Sequence, residues 1–180
     1  MNNSYTLVLS FDYNQISESL RYTVWQENNQ RYPQQRVGRT AGTFNFTQGD
    51  RISVKVVGGY ENGKDAPSTF NFTVQNCTLV FIKAPQVVDL SLFDPDNAVA
   101  NVNFNNSMEK FNWPNGDMPA YQAWAVTSTE QFPVTAQNGQ WKLSGYLSVE
   151  INGTTKMFYF DPESSAGDGT GVGHGGHGLP

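Results

Sequence analysis

Apolar and polar residues alternate with a period of two along most of this chain, the spacing that sends successive side chains to opposite faces of a β-strand. Tyr5, Leu7, Leu9 and Phe11 fall on one side of the first segment, with Thr6, Ser10 and Asp12 on the other. Leu20, Tyr22 and Val24 repeat the pattern, as do Ile52, Val54 and Val56, and then Phe70, Phe72 and Val74. Leu79 to Ile82 is nearly continuous and reads as a strand buried on both faces. Trp141, Leu143, Leu147, Val149 and Ile151 share parity, and Asn152-Gly153 then leads into Lys156–Phe160. Asn-Gly between two alternating runs predicts a hairpin, because a type I′ turn needs positive φ at both central residues. Helical spacing is confined to single turns at Ile16–Leu20 and Val87–Leu92. The pattern predicts an all-β protein, an antiparallel β-sandwich of Greek-key or jelly-roll type.

Two stretches depart from the alternation. Residues 85–119 carry Phe93-Asp94-Pro95-Asp96-Asn97, Asn101, Asn103, Asn105, Asn106 and Trp113-Pro114-Asn115-Gly116-Asp117. A short strand around Val99–Phe104 is expected inside an otherwise long ordered loop, and long loops in compact domains often carry function. After Asp161-Pro162 the chain becomes glycine-rich, and a Gly/His tail is expected over residues 164–180, following a single domain over 1–163. The segment Thr43-Phe44-Asn45-Phe46-Thr47 recurs letter for letter as Thr69–Thr73. Alternating Phe pairs of this kind predict core positions.

Composition narrows the chemistry. The 180 residues hold one cysteine, Cys77, and two histidines, His174 and His177, so Met1–Gly173 contains no histidine. Ser-His-Asp and Cys-His nucleophile pairs and His-ligated zinc are thereby excluded from the body of the domain, and an intrachain disulfide is excluded altogether. Cys77 lies between two apolar runs, and burial is expected for it. The formal net charge is −5 with 15 % charged residues, and the Lys and Arg are scattered singly, which argues against nucleic acid as a partner. No apolar run is long enough for a membrane-spanning helix. Met1-Asn2-Asn3-Ser4-Tyr5 has neither a basic nor an apolar leader segment, so a cytoplasmic protein, or one exported without a cleaved signal, is expected.

What remains is carboxylates, amides, hydroxyls and aromatic rings. Asp94, Asp96 and Asn97 offer oxygen ligands of the kind calcium takes, although the spacing is not that of an EF-hand; turns capped by Asx side chains are the alternative. No cofactor is required by any motif. His174 and His177 are two imidazoles on a glycine-rich chain, where metal binding would be adventitious. Trp113 with Asn115 and Asp117, followed by Tyr121, forms the aromatic and amide constellation best suited to a sugar, which stacks its apolar face on a ring and bonds its hydroxyls to amides and carboxylates. Trp25 among Gln26, Asn28, Asn29 and Gln30 offers similar materials; the alternative places Trp124 and Trp141 in the core and Trp25 and Trp113 over sheet edges.

Gly42-Thr43-Phe44-Asn45-Phe46 with Gly49-Asp50-Arg51-Ile52-Ser53 resembles the central motif of the AidA/PixA inclusion-body protein family. The hairpin from Leu143 to Phe158-Tyr159-Phe160-Asp161-Pro162 is similar to that family's last one, with Phe160 where Trp is usual. The matches cover about a third of the chain. The resemblance implies a bacterial β-sandwich protein that accumulates as cytoplasmic inclusions or acts in host association, and it transfers no catalytic residue. The combined expectation is a non-enzymatic binding protein with lectin-like glycan recognition at Trp113, Asn115, Asp117, Tyr121 and the Asp94–Asn97 turn. A self-associating structural or storage protein, a homo-oligomer, is the alternative, and a carboxylate-dyad glycosidase is the lesser one.

Overall fold

A computed structural model describes residues 3–26, 30–31, 44–63, 66–112, 121–160 and 163–166. They form thirteen strands and no helix: β1 (Ser4–Asp12), β2 (Arg21–Gln26), β3 (Gln30–Arg31), β4 (Phe44–Phe46), β5 (Arg51–Glu61), β6 (Phe72–Lys83), β7 (Val99–Asn101), β8 (Phe104–Phe111), β9 (Tyr121–Ser128), β10 (Phe132–Pro133), β11 (Gly139–Ile151), β12 (Thr154–Phe160) and β13 (Glu163–Ala166). The first sheet runs β3-β2-β1-β5-β9-β8, with β10 also on β5; the second runs β4-β13-β11-β6-β7, with β12 also on β11. The two pack face to face as the expected β-sandwich. Most neighbours are antiparallel, while β1 with β5 and β13 with β4 are parallel. No helix among the described residues is long and apolar enough to cross a membrane.

Alternation decides which side chains meet between the sheets. Leu7, Leu9 and Phe11 of β1, Val54 and Val56 of β5 and Val126 of β9 face Phe72, Cys77, Leu79 and Phe81 of β6 and Leu147, Val149, Phe158 and Phe160 of β11 and β12. Phe11 bridges the layers, stacked on Phe158 and edge-on to Phe72, both at 5.3 Å between ring centroids. Both copies of the repeated pentapeptide contribute to this core, through Phe46 and through Phe70 and Phe72. Trp141 is fully buried and donates its indole N–H to the Asp89 carbonyl at 3.1 Å. The β11–β12 hairpin turns at Asn152 (φ 48°) and Gly153 (φ 83°), the conformation that Asn-Gly favours.

Four expectations are corrected. Ile16–Leu20 and Val87–Leu92 lie in loops, because each has too few turns to repay helix nucleation. Leu79–Ile82 is not buried on both faces: Leu79 and Phe81 point inward, while Ile82 is exposed on the outer face. Of the loop expected over residues 85–119, residues 104–111 form β8, whose polar side chains had hidden its strand character, and residues 113–119 lie outside the described residues. Strand pairing continues past residue 163 to Ala166, because β13 completes the edge of β11 where β12 has ended. His174 and His177 lie outside the described residues.

β8 also closes a gap between the layers. Its pairing with β9 shifts between Asn105 and Glu109, and the displaced residues reach across to β6. Asn106 accepts the Val74 N–H at 3.0 Å and donates to the Val74 carbonyl at 3.1 Å, taking the place of a strand. The N–H of Phe72 points at Met108 Sδ at 3.4 Å. At the other end, buried Asp50 accepts the N–H groups of Asn3 and Thr47, both at 2.8 Å, which anchors the start of β1 beside β5.

Asn106→Ala is expected to cost about 1–3 kcal/mol, since it orphans both polar groups of Val74, and urea unfolding with an unchanged m-value would show it. Cys77 is buried as expected, and burial pushes its thiol from 9.0 up to about 12. The unfolded thiol therefore ionises first as pH rises. Its contribution to stability is complete below pH 9 and is lost between about pH 9 and 12. Urea midpoints across that range should fall less steeply in Cys77→Val.

Candidate functional site

The outer face of the first sheet is not simply solvated. Val8 of β1, Trp25 of β2, Val57 of β5 and Ala123 and Ala125 of β9 form a second buried apolar cluster there, with Phe111 and Tyr121 packed against it. On one side Lys55 pairs with Glu109 at 3.2 Å and sits 5.8 Å above the Phe111 ring. On the other the face opens into a groove of about 930 Å³. Its wall is made by Ser10 and Asp12 of β1, Arg21, Thr23 and Trp25 of β2, and Tyr121, with Asn14, Gln15, Ser17 and Ser19 supplied by the β1–β2 loop.

Asp12 and Tyr121 are joined although 109 residues apart: the phenol donates to Asp12 Oδ2 at 2.5 Å. The register explains it. Asp12 is opposite Gly59 on β5, and Gly59 is opposite Ala123 on β9. A Cβ at Gly59 would come within 2.4 Å of the Tyr121 ring and of the Gln122 carbonyl, so only glycine lets the ring lie against the sheet. Burial first, then the hydrogen bond and negative charge of Asp12, hold the Tyr121 phenol well above its ordinary range. It stays a neutral donor. The other oxygen of Asp12 accepts the Asn14 N–H at 2.7 Å.

The loop forming the groove's rim is tightly tied. Gln15 accepts the Asp12 N–H and donates to the Ser17 and Ser19 carbonyls, each at 2.7 Å. Leu20 and Glu18 exchange backbone hydrogen bonds with Tyr159, and Lys156 donates to the Tyr13 carbonyl, fastening the loop to the second sheet. A second groove of about 820 Å³ lies beyond it, against β12.

Trp25 is 7 % exposed, and its indole N–H is the one buried side-chain polar atom among the described residues with no hydrogen-bond partner. Leaving such a donor unsatisfied costs about 1–3 kcal/mol. Trp141, equally a core tryptophan, has its acceptor. Trp25 was expected over a sheet edge; it lies instead on the outer face beside the groove, because β2 is flanked by both β1 and β3.

No protein-family model and no curated protein matches this chain. The site therefore rests on the chain's own geometry. Of the residues expected to form one surface, Tyr121 lies at this groove, near the end of β5. The Asp94–Asn97 turn lies at the opposite end, near β5's start, where Phe93 stacks on Phe132 at 5.2 Å and Phe132 pairs with Ile52. β8 carries the chain from one end to the other, about 25 Å at about 3.3 Å per residue, which separates segments close in sequence. Asp94 Oδ1 caps the Asp96 N–H and Asn97 Oδ1 the Val99 N–H, both at 2.9 Å, so these oxygens are engaged in Asx turns. No group of three or more metal-ligating His, Cys, Asp or Glu occurs among the described residues. Trp113, Asn115 and Asp117 lie outside the described residues. Alternation marked Asp12 as outward-facing, but its partner depends on a parallel pairing that no local pattern announces.

Tyr121→Phe should cost about 1.5–3 kcal/mol in urea unfolding, the worth of a hydrogen bond to a charged acceptor. In a Gly59→Ala background, where the ring is displaced, the same change should cost far less; a double-mutant cycle measures the difference.

Proposed function

We propose that the protein is a non-enzymatic binding protein that holds a neutral glycan in the Asp12–Trp25–Tyr121 groove. The observation that carries this is a groove with an apolar floor and a rim of hydroxyls and amides. A pyranose offers the matching surfaces: an apolar ring face, hydroxyl oxygens for Arg21, and hydroxyl protons for Asp12. The preformed Asp12–Tyr121 hydrogen bond fixes both groups before a ligand arrives, which lowers the entropic cost of binding. Among the described residues of the groove's lining Asp12 is the one carboxylate, which supports binding over hydrolysis by a carboxylate pair. A second reading, self-association, is favoured by the exposed Tyr146, Met157 and Tyr159 on the outer face of the second sheet.

A glycan array, run with and without calcium, is expected to return neutral oligosaccharides. Titration calorimetry on the strongest should then show about a tenfold loss in Arg21→Gln, which removes the charged donor at the rim. Absence of glycan binding in both arms, or binding indifferent to Arg21→Gln and Tyr121→Phe, would sink the proposal.

A further inference from the structure

Asn-Gly pairs are special chemically as well as conformationally. The glycine's amide nitrogen can attack the asparagine's side-chain carbonyl carbon, because glycine has no Cβ to obstruct the approach. A new C–N bond forms, the bond to the side-chain NH2 breaks, and ammonia leaves behind a cyclic succinimide. Water then opens the ring at either carbonyl, giving aspartate or isoaspartate. The reaction needs an asparagine side chain free to turn onto its own main chain and a glycine nitrogen free to meet it. Four Asn-Gly pairs occur, beginning at Asn62, Asn115, Asn138 and Asn152; Asn115-Gly116 lies outside the described residues.

The three described asparagines are all exposed, but the fold treats them differently. Asn152, at the β11–β12 turn, has its side chain clamped. Its Oδ1 accepts the Asn71 N–H at 2.9 Å and its Nδ2 donates to the Thr69 carbonyl at 2.8 Å, while its own N–H donates to the Asn71 carbonyl at 3.0 Å. Asn138 has no such clamp, yet Gly139 is half-buried at the start of β11 and paired with Ala166. An added Cβ there would lie 2.6 Å from the Trp141 ring and 2.9 Å from Val87. Asn62 and Gly63, just after β5, are both exposed. The Asn62 side chain and the Gly63 N–H have no hydrogen-bond partner among the described residues, and nothing lies within 4 Å of where a Gly63 Cβ would stand.

We infer that Asn62-Gly63 is a site of spontaneous deamidation, and that the Thr69–Asn71 clamp protects Asn152 from the same reaction. Two hydrogen bonds must break before the ring can close at Asn152, which should slow it at least about tenfold relative to Asn62. Conversion at Asn62 adds a negative charge next to Glu61, which pairs with Tyr121 across β5 and β9. The change therefore falls beside the groove and outside its lining, and the inference is independent of what the groove binds.

Peptide mapping by mass spectrometry is the test, on the full chain held at neutral pH and sampled over weeks, with circular dichroism to confirm the fold. Asn62 is expected to convert first, Asn138 more slowly and Asn152 slowest. In urea, where clamp and strand pairing are gone, Asn138 and Asn152 should approach the rate of Asn62. Gly63→Ala, for which there is open space, should suppress conversion at Asn62 and leave the other two unaltered. Asn152 converting as fast as Asn62 in the folded chain, an order that urea leaves untouched, or conversion at Asn62 indifferent to Gly63→Ala overturns the inference.

Discussion

The parallel pairing of β1 with β5 is the constraint on which both faces of the first sheet depend. Nine consecutive positions are in register, from Ser4 opposite Arg51 to Asp12 opposite Gly59. Asp50 anchors the start of this pairing, accepting the Asn3 N–H beside it. Because side chains alternate, the same register that delivers Phe11 to the inter-sheet aromatic cluster delivers Asp12 to Tyr121 on the outside. A slip of one residue would bury Asp12 among Phe70, Phe72 and Phe158 and expose Phe11. Packing of the core and geometry of the groove are thus two consequences of one alignment.

The polar groups of the groove are held in unequal states. Asp12, Tyr121 and Gln15 satisfy one another and the loop backbone, so they are positioned without a ligand. Trp25 is positioned by packing but left with an unmet donor. That donor is closed off from solvent as well as from the chain's own acceptors, so its cost is carried by the surrounding packing. On the outer face of the second sheet the hydrogen-bonding side chains are engaged among themselves through Gln75, Ser148, Thr155 and Glu150.

Much of the fold was legible because a period of two is a local property. Leu7–Phe11, Ile52–Val56, Trp141–Ile151 and the Asn152-Gly153 turn all behave as their spacing demands. β8 was missed since its sequence, Phe-Asn-Asn-Ser-Met-Glu-Lys-Phe, has an edge strand's polar surface and a bulge that breaks the alternation. The candidate site was legible only in kind. Tyr121 and the Asp94–Asn97 turn, neighbours along the chain and expected on one surface, stand at opposite ends of the sandwich.

The sequence by itself determined the β-class of the chain, the inward set of apolar residues, the burial of Cys77 and the exclusion of histidine- and disulfide-based chemistry from the body of the domain. Each follows from residue type and spacing, which act over a few residues. Tertiary structure alone decided that Asp12 meets Tyr121 and that Trp25 is buried without a partner. Those outcomes depend on which strands become neighbours and in which direction they run. That choice is set by the summed packing of two sheets, to which no single segment contributes enough to reveal it.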